Sequence, residues 1–239
     1  MYVLVMSVIT ALSLSFTYTL FKPMHDAAGE LSVKQDILSA VKGAEAYKLK
    51  KEEVDNIYAK QIKQIVLDAK GNVVAGTAAN AAEKIDLGVE KKKAENERQY
   101  PLFVYTDEKG KKQYILSVRG SGLWDEIWGF VALGDDANTI VGCSFDHKAE
   151  TPGLGAEIKD NQSWKNQFFA QKDGTSKKTI FDANGAYVSV SVMKSGGTKR
   201  DEHAVDGISG ATITSNGVTE MLNRGLSFYV PYLTTQRKS

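Results

Sequence analysis

The chain opens with an uncharged, largely apolar run over residues 1–21, interrupted only by hydroxyl side chains at Ser7, Thr10, Ser13, Ser15, Thr17 and Thr19. At 1.5 Å per residue such a run spans about 31 Å as a helix, close to the thickness of a bilayer's hydrocarbon core. Hydroxyls can bond back to helix carbonyls, and Tyr2 and Tyr18 stand where interfacial aromatics belong, so the pattern predicts one transmembrane helix. The competing reading is a cleaved secretory signal; against it, the apolar run is long, no basic segment precedes it and no clean small-residue cleavage site follows. The next periodicity covers residues 31–68, where Ile37, Leu38, Val41, Val54, Ile57, Tyr58, Ile62 and Ile65 recur at three- and four-residue steps and predict two amphipathic helices. Ile65-Val66-Leu67, then Asp68-Ala69-Lys70-Gly71-Asn72, then Val73-Val74 also read as strand, turn and strand. Residues 81–99, rich in Lys, Glu and Ala, fit a solvated helix or a surface insertion.

From Tyr100 the period shortens to that of strands. Runs at Leu102-Phe103-Val104-Tyr105, 113–118, 129–133, 139–145 and 187–193 are separated by turn residues such as Asp107-Glu108-Lys109-Gly110. Helices are expected near 161–169 and over about 214–229, where Val218, Met221, Leu222 and Gly225 share a face. The chain therefore reads as α+β in three parts: a transmembrane helix at 1–21, a helical part with a hairpin at 22–99, and a domain of antiparallel strands with flanking helices at 100–239.

Composition acts mainly by exclusion. Thirty Lys and Arg nearly balance 29 Asp and Glu, leaving no basic field for nucleic acid. Cys143 is the only cysteine, so the chain forms no internal disulfide and cannot by itself ligate an ordinary iron–sulfur cluster. His25, His147 and His203 match no zinc spacing, and no metal site is expected. Any redox chemistry must come from a non-cysteine cofactor.

One segment has the composition of a ligand cradle: Asp206-Gly207-Ile208-Ser209-Gly210-Ala211-Thr212-Ile213-Thr214-Ser215-Asn216-Gly217. Glycines let the backbone approach a bulky anion, and free amides at a helix start favour a phosphate. On local chemistry alone an ordinary polar turn, with Thr214 or Ser215 as N-cap, is the stronger reading.

The stretch Asp206 to Thr212 resembles the Asp-x-x-Ser/Thr-Gly-Ala-Thr signature of covalent flavinylation, a coincidence expected in roughly one in a few thousand chains of this length. Two further segments extend the likeness: Gly120-Ser121-Gly122-Leu123-Trp124, and His147-Lys148-Ala149-Glu150-Thr151-Pro152-Gly153-Leu154-Gly155, the latter similar to the Glu-Thr-Pro-Gly-Leu-Gly loop of FMN-binding domains. Taken alone, that loop is a turn, Trp124 a core aromatic, and Lys194 before Ser195-Gly196-Gly197 a surface cation. With the N-terminal anchor and extra helices, the chain resembles the C-subunit family of the sodium-translocating NADH:quinone oxidoreductases; the nearest relative of that family is the G subunit of the Rnf electron-transport complex.

That resemblance implies FMN joined to Thr212 by a phosphoester that a separate flavin transferase makes from FAD, since an unassisted alcohol is a poor nucleophile. Asp206 belongs to the motif that the transferase reads, and Ser209, Gly210 and Ala211 shape the attachment loop. Leu123, Trp124, Glu150, Thr151, Gly153, Leu154 and Lys194 are the expected flavin-binding residues. The implied role is a one-electron relay in a six-subunit, inner-membrane NADH:quinone (ubiquinone or menaquinone) reductase that exports Na+, with the protein supplying position and electrostatics. NADH oxidation and quinone reduction would fall to other subunits, and no residue here need be a catalytic acid or base. The family places the soluble domain on the periplasmic face. Lys22, just after the apolar run, points the other way under the positive-inside rule; the family expectation is preferred. The G subunit of Rnf, or a membrane-tethered FMN sensor that passes no electrons onward, are the alternatives, because fold alone does not fix function.

Overall fold

The computed structural model describes residues 1–169, 177–194 and 201–237. Helix α1 (Tyr2–Lys42) carries the apolar run without a break into the first amphipathic segment. Pro23 and Gly29 do not end it, because Ala27, Ala28 and Glu30 between and beside them are strong helix formers. Ser7, Thr10, Thr17 and Thr19 each donate to the carbonyl four residues back at 2.8–2.9 Å, so these hydroxyls need no other partner in an apolar medium. The helix is long and apolar enough to cross a membrane, and residues 1–30 are exposed. Gly43, at φ 60°, ends it.

A 3-10 turn leads to α2 (Lys51–Gln61), and the chain then becomes strand β1 (Ile62–Leu67). Here the helical period fails. Ile65-Val66 is β-branched, and Asp68 closes a tight turn by accepting the Lys70 and Asn72 N–H groups. After the one-turn helix α3 (Leu87–Glu90) come β2 (Tyr100–Thr106), β3 (Lys112–Ser121), β4 (Glu126–Leu133) and β5 (Ile140–His147). β1 to β5 pair antiparallel in chain order, so the expected boundary at 99–100 falls inside one sheet, between strands paired along six residues. Short helices α4 (Glu157–Asp160) and α5 (Gln162–Asn166) follow, then a parallel pair β6 (Ser191–Met193) and β7 (Ala204–Asp206), then α6 (Thr212–Ser227) and α7 (Val230–Arg237). The strand expected over 187–193 is shortened because Ser189, at φ 66°, leaves the extended region.

Strand alternation covers both faces of the sheet. Leu102, Val104, Leu116, Val118, Val131 and Leu133 pack with Val218, Met221, Leu222 and Leu226 of α6; Phe103, Tyr105, Ile115 and Ala132 pack with Ile37, Leu38 and Ala40 of α1 and Val54 and Tyr58 of α2. Two close approaches orient the helices. α6 lies against β3 so that a Cβ at Gly217 would overlap the Ser121 carbonyl oxygen, which puts the N-terminus of α6 at the β3–β4 turn. α1 runs opposite to β5: Ala40 lies over Gly142, and Asp36 accepts the Ser144 hydroxyl at 3.1 Å on its carbonyl. The end of the sheet holding the α6 N-terminus is therefore the end toward which α1 descends to its apolar N-terminal part.

Candidate functional site

β7 ends at Asp206, whose backbone is held on both sides: its N–H donates to Gln167 Oε1 at 2.9 Å and its carbonyl accepts the Trp164 indole N–H at 2.8 Å. Gly207 then donates to the Met193 carbonyl at 2.5 Å, and a Cβ there would stand 2.7 Å from that oxygen. Ile208 and Ala211 close a turn through Ala211 N–H to Ile208 O at 3.1 Å. Gly210 adopts φ 78°, which favours glycine, and a Cβ there would reach within 2.8 Å of the Leu154 side chain. Ser209 is exposed on the turn.

α6 begins two residues earlier than its apolar face suggests. The Ala211 carbonyl accepts the Ser215 N–H at 2.9 Å, so Ala211 is the N-cap, Thr212 the first helical residue, and Thr214 and Ser215 lie inside the helix instead of capping it. The Ser215 hydroxyl folds back to accept the Ile208 N–H at 3.2 Å. Thr212 is exposed, and the amides of Thr212, Ile213 and Thr214 precede the first intrahelical bond, at the positive end of a sixteen-residue helix.

Two other segments reach this helix start. In the 150–155 loop, Leu154 and Ala156 N–H both donate to the Thr151 carbonyl at 3.1 Å, and Gly153 takes φ 73°. In the 122–125 turn, Gly122 N–H donates to the Asp125 carbonyl at 2.8 Å, and Lys148 bonds the Asp125 carboxylate at 3.0 Å. The Lys148 hydrogen bond holds that carboxyl below its usual range. The turns meet where the Trp124 indole N–H donates to Thr151 Oγ1 at 3.0 Å. Trp124 is 67% exposed, which overturns its reading as a core aromatic: the pleat of β3 and β4 ends before it. Leu123, Leu154 and Ile213 are exposed large apolar side chains on the same three segments.

The structure thus brings Asp206, Ser209, Gly210, Ala211 and Thr212 into one turn and ties it to the segments of Leu123, Trp124, Glu150, Thr151, Gly153 and Leu154. Lys194 is exposed and adjoins the turn through the backbone, one residue after Met193; Ser195-Gly196-Gly197 lie outside the described residues. Glu150 itself is buried. Sequence reasoning gave no inward role to Thr214, Gly122, Gly155 or His147. The glycines were legible as small residues, but the carboxylate they wall in was not. Among the described residues no group of His, Cys, Asp and Glu could hold a metal ion.

The arrangement suits a ligand with an anionic head and a flat apolar body. Free amides and a glycine turn stand beside an exposed hydroxyl, and an exposed apolar rim stands beside both. Comparison with known proteins agrees. The FMN-binding domain family matches residues 122–227. The chain is 38% identical to the C subunit of the Na(+)-translocating NADH-quinone reductase of Vibrio anguillarum over 178 residues, 69% of this chain and 66% of that protein. It is 32% identical to the same subunit of Haemophilus ducreyi, over 97% of this chain and 90% of that one. The crystal structure of the corresponding protein from Parabacteroides distasonis matches with a TM-score of 0.74 at 34% identity, covering 89% of this chain and 96% of that chain.

Proposed function

Because the chain belongs to the C-subunit family of the Na(+)-translocating NADH-quinone reductases and contains an FMN-binding domain, we propose that it is the membrane-anchored FMN relay of such a complex, with FMN esterified to Thr212. The observation that carries this reading is the placement of Thr212: an exposed hydroxyl on the first residue of α6, next to the Gly207–Ala211 turn and the exposed rim of Leu123, Trp124, Leu154 and Ile213. FMN, when bound, supplies electron transfer one electron at a time.

The chain's own residues hold and orient. The first amides of α6 would hold the phosphate, and the left-handed Gly210 makes the tight turn that leads into them. The exposed Leu123, Trp124 and Leu154 would offer the ring an apolar surface, and Lys194 would supply a nearby cation. Among the described residues no side chain hydrogen-bonds the Thr212 hydroxyl, so its activation falls to the transferase. Thr212 Oγ1 bonds to the phosphorus of FAD's flavin half, the pyrophosphate bond breaks, AMP leaves, and a base of the transferase takes the hydroxyl proton.

In this reading α1 crosses the inner membrane and the rest of the chain lies on the periplasmic side. The partners are the other five subunits, among them those that oxidise NADH and reduce quinone while Na+ is exported. Expression with the transferase tests the core of the proposal: intact mass should rise by one esterified FMN, and Thr212→Val should show no increase. An increase in that variant would place the flavin elsewhere.

A further inference from the structure

Glu150 was expected to touch the flavin ring, yet its side chain points inward. It is 4% exposed, and each carboxylate oxygen is engaged within the protein. Oε1 accepts the Trp124 backbone N–H at 3.0 Å, and Oε2 accepts the hydroxyl of Thr214, a residue only 1% exposed, at 2.6 Å. The Glu150 N–H in turn donates to His147 Nδ1 at 3.1 Å, fastening the loop to the end of β5. Gly122 and Gly155 close the slot: a Cβ on either would overlap the carboxylate, and one on Gly155 would also stand 2.7 Å from Thr214 Oγ1.

We infer that Glu150 and Thr214 are a positioning pair that locks the 122–125 and 150–155 loops to the first turn of α6 and thereby orients the flavin. The inference rests on the FMN reading above. A phosphoester on Thr212 leaves many rotatable bonds between the protein and the ring, and ordering them requires contacts from the loops. Those contacts, from Leu123, Trp124, Thr151 and Leu154, sit on two segments that the Glu150 carboxylate joins to each other and to α6. Thr214 lies two residues after the attachment site, so the bond also fixes the rotation of the helix turn that carries Thr212.

The full chain in detergent tests this with Thr214→Val, which keeps shape but loses the hydroxyl, and Thr214→Ser and Glu150→Gln, which keep hydrogen-bonding reach. In flavin-free protein, Thr214→Val should speed amide exchange in residues 122–125 and 150–155 by about ten- to a hundred-fold, the factor lost with one hydrogen bond to a charged group. The two conservative variants should stay within about threefold of wild type on the same scale. In protein matured with the transferase, Thr214→Val should keep its in-gel flavin fluorescence but lose most of the flavin's visible circular dichroism, and the conservative variants should retain it. Wild-type exchange and dichroism in Thr214→Val would overturn the pair. Should that variant not fold, Gly155→Ala crowds the same carboxylate and carries the same expectations, and wild-type behaviour there overturns it equally. If wild-type protein acquires no flavin, the FMN reading fails, and the exchange comparison still decides whether the lock exists.

Discussion

Two threonines of one helix turn have opposite surroundings. At 100° per residue, Thr212 and Thr214 are 200° apart around α6, one exposed and one buried against Glu150. Only the first can enter another protein's active site. Thr212→Val should therefore abolish in-gel flavin fluorescence while leaving thermal stability within about 0.5 kcal/mol, as for other exposed substitutions; fluorescence that persists would sink the assignment. Lys194→Ala should keep covalent FMN yet lower its midpoint potential, because a nearby cation favours the more negative reduced flavin. For an exposed ammonium the shift is about 40 mV or less, equivalent to roughly 1 kcal/mol for one electron. An unchanged potential in redox titration would return Lys194 to the solvated surface. The tight turn at Gly210 and the helix start near Thr212 were legible in the chain because they sit in one contiguous motif. The inward turn of Glu150 was not, since its partner Thr214 is 64 residues away and nothing local distinguishes a ring contact from a brace.

At the scale of elements, the site depends on how closely α6 lies on β3. Gly217 meets the Ser121 carbonyl, Gly225 the Val118 side chain, and Met221 covers Gly120. Gly217→Ala sets two effects against each other: better helix propensity, worth up to about 1 kcal/mol, and overlap with a backbone oxygen that cannot rotate away, costing about 1–3 kcal/mol. The overlap should win, lowering the unfolding midpoint; a midpoint at or above wild type would show that α6 can shift on the sheet. Alternation and turn chemistry made β2 to β5 legible: Asp107 accepts the Lys109 and Lys111 N–H groups in the turn that the sequence marked. The spacing of Val218, Met221, Leu222 and Gly225 likewise gave the buried face of α6. β1 was ambiguous because Ile62 and Ile65 keep a helical step of three while Ile65 and Leu67 keep a strand step of two, and pairing with β2 decides for the strand. The unbroken α1 was missed because Pro23 reads as a boundary, although helical neighbours on both sides override it.

For the whole molecule, α1 sets both the height and the facing of the site. Ser144 of β5 is level with Asp36 of α1. Three strand residues further, at His147, the sheet ends about 10 Å lower, which corresponds to about seven residues of helix. That end, with Thr212 and the apolar rim beside it, is thus level with about residue 29, some 12 Å above the end of the apolar run at residue 21. In the proposed assembly, with α1 across the membrane, a flavin there would face the bilayer surface, closer to a membrane-embedded electron partner than to one in bulk solvent. If α1 is a rigid spacer, its phase matters more than its length. Inserting two alanines after Ala28 turns the domain by about 200° and lifts it by about 3 Å; inserting four turns it by about 40° and lifts it by about 6 Å. Both variants should still acquire covalent FMN, since the attachment turn is untouched. NADH-driven quinone reduction by the assembled complex should fall much further with two residues than with four, because rotation carries the rim away from its partner while a small lift does not. Equal turnover in both, at the wild-type rate, would show that the domain swivels freely on its helix and that α1 serves only as a tether.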